Sequence, residues 1–270
     1  MIQKQRGISL IEILISMLLG LSLIAGISQL FIQSQKSFSM QRNLSDMTDD
    51  GSIALELLGK GFLQAGFAEN GDTTGFPIDT APFSGSTITL GLGEYLKGTN
   101  DGTNDEIIYR YRISDTGITH TVGDMGELDN FICSSTNDFT AAVVGEMLTV
   151  RIYVKKDSNN IPFVRCSVKT DSISAPTAEE KEELISEVYR LIIRYGVRAT
   201  GGLYYTDQAN VVDWTKVVAL KIFLVLRSAD DNLTRNNAIY YIEGVAQPVV
   251  PDKRLYKVFS KTIYLRAPDH

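Results

Sequence analysis

The sequence predicts an α+β protein in which one long N-terminal helix packs on an antiparallel β-sheet head. Two patterns support this fold class. Apolar residues dominate the chain from residue 8 to about residue 32 and then recur at helical spacing to residue 68. Beyond residue 100 the apolar segments are shorter, and several alternate apolar with polar residues as half-buried strands do.

Length and composition indicate a folded protein and exclude one class of partner. The chain has 270 residues, of which 44% are hydrophobic and 21% charged. Residues 69–270 are enough for one globular domain, and no Pro/Ser-rich linker divides them. The net charge is -6, and no cluster of Lys and Arg appears, so the composition predicts no nucleic-acid partner.

Residues 8–32 are long and apolar enough to cross a bilayer, which takes about 20 helical residues. Lys4 and Arg6 precede this segment, and no positive charge follows it until Lys36. The positive-inside rule therefore keeps the N-terminus in the cytoplasm and exports the rest. Glu12 is the only charge in the segment, although an acidic residue at a helix centre costs about 2.5–3.5 kcal/mol on insertion scales.

Two ordinary membrane segments could account for residues 8–32, and a third explanation concerns Glu12 alone. A secretory signal peptide has a shorter apolar region and a polar mature start. An ordinary uncleaved anchor leaves Glu12 unexplained. A carboxylate tolerated near the headgroups, and favoured by the positive end of its own helix, is the third.

Residues 33–68 predict an amphipathic helix whose apolar face is covered by a sheet. Gly66 or Gly71 ends it. The residues of this face are Phe31, Phe38, Leu44, Met47, Ala54, Leu58, Phe62 and Ala65.

Eight later segments have the composition of β-strands. The segment 217–227 is apolar at nearly every position and is predicted to be the central strand. The segments are 86–92, 106–113, 147–155, 163–168, 188–197, 217–227, 239–244 and 258–266. The acidic piece TAEEKEELIS has Thr177 and Glu180 at capping-box spacing, which predicts a short helix before residue 188.

The chain has two cysteines, Cys133 and Cys166, both in the part predicted to be exported. In an oxidising compartment they are expected to form a disulfide, which closes a loop of about 30 residues and contributes about 3–4 kcal/mol in the chain-entropy model. Two unpaired buried thiols are the alternative.

The sequence contains little that indicates catalysis or ligand binding. No nucleophile motif accompanies His120. The acidic segment 99–106 lacks EF-hand spacing and is predicted to be a turn before a strand, with calcium binding as the alternative. Trp214 and the tyrosine pairs at 204–205 and 240–241 are attributed to cross-strand packing, with an adhesive surface as the alternative.

The stretch RGISLIE, residues 6–12, resembles the prepilin signal of type IV pilins and type II secretion pseudopilins. In that family a membrane peptidase cuts after the glycine and methylates the new amino terminus. The resemblance implies cleavage between Gly7 and Ile8 and N-methylation of Ile8. It also implies that Glu12 sets the register between subunits by pairing with a neighbour's amino terminus.

The rest of the chain resembles the PilW family of minor pilins, in fragments along nearly its whole length. The fragments are ALELLGKGFLQAGF, DEIIYRY, LIIRYGV, DWTKVVALKIFLVLRS and VFSKTIYLRAP. The most specific pattern is formed by Trp214, Val217, Ala219, Leu224, Arg227 and Ser228. No proline precedes Pro77, whereas many major pilins carry one in the membrane helix, which favours a minor subunit.

The resemblance implies a type IV pilin-like fold with a leader (1–7), a membrane and filament-core helix (8–32), an amphipathic helix (33–68) and a periplasmic head (69–270). It implies processing by prepilin peptidase, anchoring in inner-membrane lipid, and later a place in the pilus, at the tip. The implied role is to initiate pilus assembly with other minor pilins and the major pilin, with a PilY-like tip adhesin as a further candidate partner.

No cofactor and no enzyme activity are implied. A type II secretion pseudopilin of the J type is the alternative function, and a membrane-anchored periplasmic binding protein is the next.

Overall fold

A computed structural model describes residues 10–68, 75–80, 83, 85–112, 147–170, 182–247 and 251–265. The described chain contains one α-helix, α1, over Leu10–Phe62 and eleven strands, all paired antiparallel. Residues 1–46 and 47–270 form two compact units, and the division falls within α1. The chain is therefore α+β, as the sequence predicts.

The strands fall into two sheets and a separate hairpin. Their bounds are β1 Leu96–Asn100, β2 Asp105–Arg112, β3 Met147–Lys156, β4 Pro162–Thr170, β5 Glu182–Ser186, β6 Val188–Ala199, β7 Gly202–Thr206, β8 Val217–Arg227, β9 Tyr240–Ile242, β10 Val245–Gln247 and β11 Tyr256–Tyr264. The first sheet has the order β1-β2-β3-β4-β5, the second β11-β8-β6-β7, and β9 pairs with β10.

In the first unit, the large apolar side chains of α1 from residue 10 to residue 32 are exposed. The exposed fraction is 77% for Leu10 and 54% for Ile32. By length and composition this helix can cross a membrane. A helix that is apolar on every side is stable only in apolar surroundings, such as lipid or other helices.

In the second unit, α1 contributes Met47, Leu58 and Phe62 to the main core. The predicted apolar face is therefore right from Met47 onwards. It is wrong for Phe31, Phe38 and Leu44, whose side chains are all exposed. The physical reason is that Met47 is the first apolar side chain of α1 that the main core covers.

Strand β11 lies against α1 at a position that requires glycine. A Cβ on Gly51 would lie 2.5 Å from the Phe259 ring, so only glycine leaves space for that ring. Beside this contact, the Lys257 ammonium donates to the Thr48 hydroxyl at 2.7 Å. These contacts fix the helix on the edge strand of the second sheet.

The end of α1 agrees with the predicted stop at Gly66. The helix ends at Phe62, turns follow, and Gly66 adopts a left-handed φ of 78°. Its N–H donates to the carbonyl of Arg110 on β2 at 2.9 Å. The chain is thus tied to the first sheet as it leaves the helix.

Strand β8 is central, as its composition predicts, because β11 and β6 flank it. Its fully buried residues Leu220, Ile222 and Leu224 belong to the main core, which also holds side chains from α1 and the first sheet. Six other predicted strands correspond to β2, β3, β4, β6, β9 and β11, with ends shifted by a few residues.

Two predicted elements are wrong. In segment 86–92 only Leu90 pairs, in an isolated bridge with Asp79, because the segment lies over the first sheet as a cover and packs Ile88 and Leu90 on Ile108. Within the predicted helix, the described residues Glu182–Ser186 form β5, because pairing with β4 overrides their helical propensity. Thr177 and Glu180 lie outside the described residues.

Arg110 holds the covering segment on the first sheet. Its side chain is fully buried. Its guanidinium donates to the carbonyls of Pro77 at 2.5 Å, Gly91 at 3.1 Å and Glu94 at 3.0 Å. One arginine therefore satisfies backbone acceptors near both ends of the chain from residue 75 to residue 95, which is the covering segment.

The β1–β2 hairpin joins the two sheets through side chains. The Asn104 amide oxygen accepts the Leu191 N–H at 3.1 Å, and the Asp105 carboxylate accepts the Ile193 N–H at 2.5 Å. Burial raises the pKa of Asp105, and the hydrogen bond from Asn100 opposes the rise. The end of the first sheet is thereby fixed to β6 of the second.

Candidate assembly surface

Glu12 lies in the first described turn of α1 and is exposed. The Ser16 hydroxyl donates to the backbone carbonyl of Glu12 at 2.7 Å. The Glu12 carboxylate itself forms no hydrogen bond or ion pair with any residue that the structure describes. It is the only charged side chain between residue 10 and residue 35.

This arrangement suits association between helices. An apolar helix can pack against lipid or other apolar helices, but a lone carboxylate in those surroundings needs a cation. Pairing with a positive group on a neighbouring helix lowers the free energy of only one axial register. Geometry and charge therefore make residues 10–32 a candidate assembly surface.

The predicted cleavage residues Gly7 and Ile8 lie outside the described residues, so processing between them stays a prediction. Cys133 also lies outside them. Cys166 is fully buried on β4, and its sulfur is in a disulfide. The bond between Cys133 and Cys166 stays a prediction.

The side-chain oxygen atoms of the acidic segment 99–106 accept hydrogen bonds from backbone N–H groups of the protein itself. The Asp101 carboxylate accepts the backbone N–H groups of Thr103 and Asn104 at 2.8 and 2.7 Å. Asn104 and Asp105 are occupied by the junction with β6. Among the described residues, no group of three metal-ligating side chains occurs. The segment is a tight turn between β1 and β2.

The aromatic residues divide into packed and exposed ones. Trp214 is buried and packs edge-on against Tyr195, with ring centroids 4.9 Å apart. The Tyr205 ring lies over Gly196, and its hydroxyl is hydrogen bonded to Tyr264. Burial is the main cause that raises the pKa of Tyr205, and Tyr264 is the smaller one. Tyr204 is 46% exposed. Packing thus explains Trp214 and Tyr205 but not Tyr204.

The second tyrosine pair divides in the same way. Tyr240 is buried among Tyr189 and Tyr256, at ring-centroid distances of 6.3 and 6.1 Å. Tyr241 is 60% exposed. His120 lies outside the described residues.

Two family models match the chain. The model of the prokaryotic N-terminal methylation motif matches residues 2–28, which include Gly7, Ile8 and Glu12. The model of type IV pilus-assembly protein W, PilW, matches residues 151–267, which span most of the strands. The chain belongs to the PilW family. It is a type IV pilin-like minor pilin, and the motif with its apolar helix indicates a membrane-anchored one.

Two further comparisons add little. A comparison with curated proteins found no match to the PilW-family chain. Among solved structures, it is similar to the type IV-like pilin TTHA1219 from Thermus thermophilus at 13% sequence identity and a TM-score of 0.49. That match covers 83% of this chain and 97% of the other.

The PilW match also bears on chemistry and on partners. Pilins are structural rather than enzymatic proteins, and the methylation motif implies processing by prepilin peptidase and contact with other pilins. Sequence patterns did not reveal the exposed apolar residues Leu203 and Val212, which the structure places near Tyr204. The signal available for Leu203 was a strand without charge or proline, GLYYT.

Proposed function

We propose that this chain is a minor pilin that initiates type IV pilus assembly with other minor pilins, in a complex at the pilus tip. Prepilin peptidase would hydrolyse the bond between Gly7 and Ile8 and methylate the new amine. Residues 8–32 would anchor the protein in the inner membrane with a periplasmic head and then pack in the filament. The observation that carries the proposal is one carboxylate, Glu12, in an otherwise apolar exposed helix that matches the methylation motif.

Cleavage gives Glu12 a partner of opposite charge. A free α-amine has a pKa of about 7.7–8.0, and a methylated amine keeps its positive charge on protonation. When one helix lies beside another and is displaced along its axis, the amine of Ile8 on one subunit reaches Glu12 on the other. Since an unpaired charge is costly in hydrocarbon, this pair favours one register.

The minor role is supported by the helix and by the head. The described helix contains no proline, and Pro77 is the first in the chain, so the membrane segment has no site of easy melting. Residues 33–68 would continue the helix into a head formed by residues 69–270. A rigid helix and a large head suit a subunit used in few copies at the tip, where a PilY-like adhesin is a candidate partner.

The test replaces the carboxylate without changing its shape. In the native host, Glu12→Gln should still be cleaved, because Gly7 and Ile8 are unchanged. Surface pili should fall at least tenfold, because about 1.4 kcal/mol lost per contact already changes assembly tenfold. The readouts are the amount of sheared pilin and co-purification of other minor pilins with the variant.

Glu56→Gln is the matched control. Glu56 is an exposed carboxylate on α1 that pairs with Lys60 at 3.1 Å in the i,i+4 arrangement, so its loss should leave pili unchanged. Normal pili with Glu12→Gln would contradict the proposal. A deletion strain that keeps its pili but loses export of a secreted protein would instead assign the chain to type II secretion.

A further inference from the structure

We propose that β7 is a docking edge for an extended, acidic segment of a partner protein. The segment would add to the second sheet as a strand beyond β7 and place a carboxylate beside Arg198. Such strand addition obtains affinity from backbone hydrogen bonds and specificity from the side chains on either face.

Strand β7 differs from the other edge strands of the two larger sheets, although the short β9–β10 hairpin also has neither charge nor proline. Proteins protect open edges with charged residues or proline. Such charges occur on β1 at Lys97, on β5 at Glu183, and on β11 at Lys257 and Lys261. Strand β7 has the sequence GLYYT, with no charge and no proline, and it is the last strand of its sheet. Its own sequence therefore lacks the charges and the proline that protect an edge against pairing.

The side chains of β7 are exposed as well. Leu203 is 41% and Tyr204 46% exposed, although both are large and apolar. Tyr205 differs from them, because its ring lies over Gly196 and its hydroxyl is bonded to Tyr264. Leu203 and Tyr204 thus leave apolar contacts for an added strand on alternate faces.

The β6–β7 hairpin also borders a cleft of about 790 Å³. Tyr204 and Val212 form apolar walls, and Val212 is 95% exposed. Lys216 is paired with Asp213 at 3.3 Å. Arg198 is exposed and forms no hydrogen bond or ion pair with any residue that the structure describes. A partner segment with apolar residues and a carboxylate matches the apolar walls of this cleft and the charge of Arg198.

The test selects peptides and then maps where they bind. A display library of random 12-residue peptides is panned against the full chain in detergent micelles. The proposal predicts enrichment of peptides that alternate apolar with other residues and carry Asp or Glu. On binding of the best peptide, backbone amides of Gly202–Thr206 should exchange hydrogen at least tenfold more slowly.

Arg198→Glu should weaken that peptide at least tenfold, and a peptide with its acidic residues changed to Lys should bind this variant better. Arg235→Glu is the control. Arg235 is exposed and follows the C-terminal end of β8, whereas the cleft lies at the N-terminal end of that strand. Failure to enrich any peptide would overturn the proposal, and so would equal binding by Arg198→Glu. Sedimentation that shows self-association with protection of β7 would also overturn it, in favour of a second copy.

Discussion

Replacing Arg110 by methionine tests whether one buried side chain holds the covering segment on the first sheet. Methionine keeps most of the length and volume of the arginine stem but cannot donate hydrogen bonds. The change leaves the carbonyls of Pro77, Gly91 and Glu94 without their donor. We expect the segment from residue 75 to residue 95 to detach locally before the sheet unfolds.

The magnitude follows from three hydrogen bonds. Bonds to a charged donor contribute about 1.5–3 kcal/mol each. Pro77 is exposed, and Gly91 and Glu94 are half-buried, so water replaces part of that loss. We therefore expect Arg110→Met to lower the free energy of unfolding by about 2–4 kcal/mol. For a domain of this size that is a fall in Tm on the order of 5–15 °C.

The assay combines urea unfolding of the full chain in detergent with hydrogen exchange. The amides of Asp79 and Leu90, which bond to each other's carbonyls at 2.9 and 2.8 Å, should exchange faster in Arg110→Met. Arg235→Met is the control, because Arg235 is exposed. A variant within about 0.5 kcal/mol of the wild type, with unchanged exchange, would refute the role given to Arg110.

Three further predictions concern the sheet junction and the cysteines. Gly98→Ala should cost about 1–3 kcal/mol, because its Cβ would overlap the Tyr195 hydroxyl, and Tyr195→Phe should relieve much of that cost in a double-mutant cycle; additive effects in urea unfolding would contradict this. The pKa of Asp105 is higher in the folded than in the unfolded protein. Asp105 therefore contributes fully to the free energy of unfolding below its ordinary pKa of 3.8, and this contribution declines as the pH rises through the pKa of the folded state. Asp105→Ala should therefore cost more stability at pH 3.5 than at pH 7, and the reverse order would exclude that cause. Cys133 and Cys166 of exported protein should resist alkylation without reductant, whereas labelling of both would remove their disulfide.

The sequence predicts much of the fold because several segments have clear periodicity. Strand β8 is apolar at nearly every position, which identified both its bounds and its central place. The apolar segment of α1 and its single carboxylate were visible from residue types alone. These elements depend on local pattern, which one sequence contains in full.

Other features depend on contacts between distant residues and could not be predicted. Strand β1 has the weak strand composition LKGTN, and it forms because it pairs with β2. EELIS favours a helix by composition, yet it becomes β5 beside β4. Nothing in the sequence distinguishes Arg110 from exposed arginines, because its role depends on three carbonyls that lie 16 to 33 residues away.

The candidate assembly surface was only partly predictable. Glu12 was identified from its unusual surroundings in the sequence. The exposure of Phe38 and Leu44 was not, because helical spacing gives the face of a helix but not the point where a sheet stops covering it. The open edge at β7 needed the sheet order, which no periodicity contains.

The central claim is that this chain is a processed pilin, and its N-terminus tests that claim most directly. Intact-mass and N-terminal peptide mass spectrometry should be applied to the protein recovered from its native membrane. The account predicts a chain that begins at N-methylated Ile8 and lacks residues 1–7. A chain that still begins at Met1 would contradict it, because the Glu12 carboxylate would then have no neighbouring amine at the predicted position.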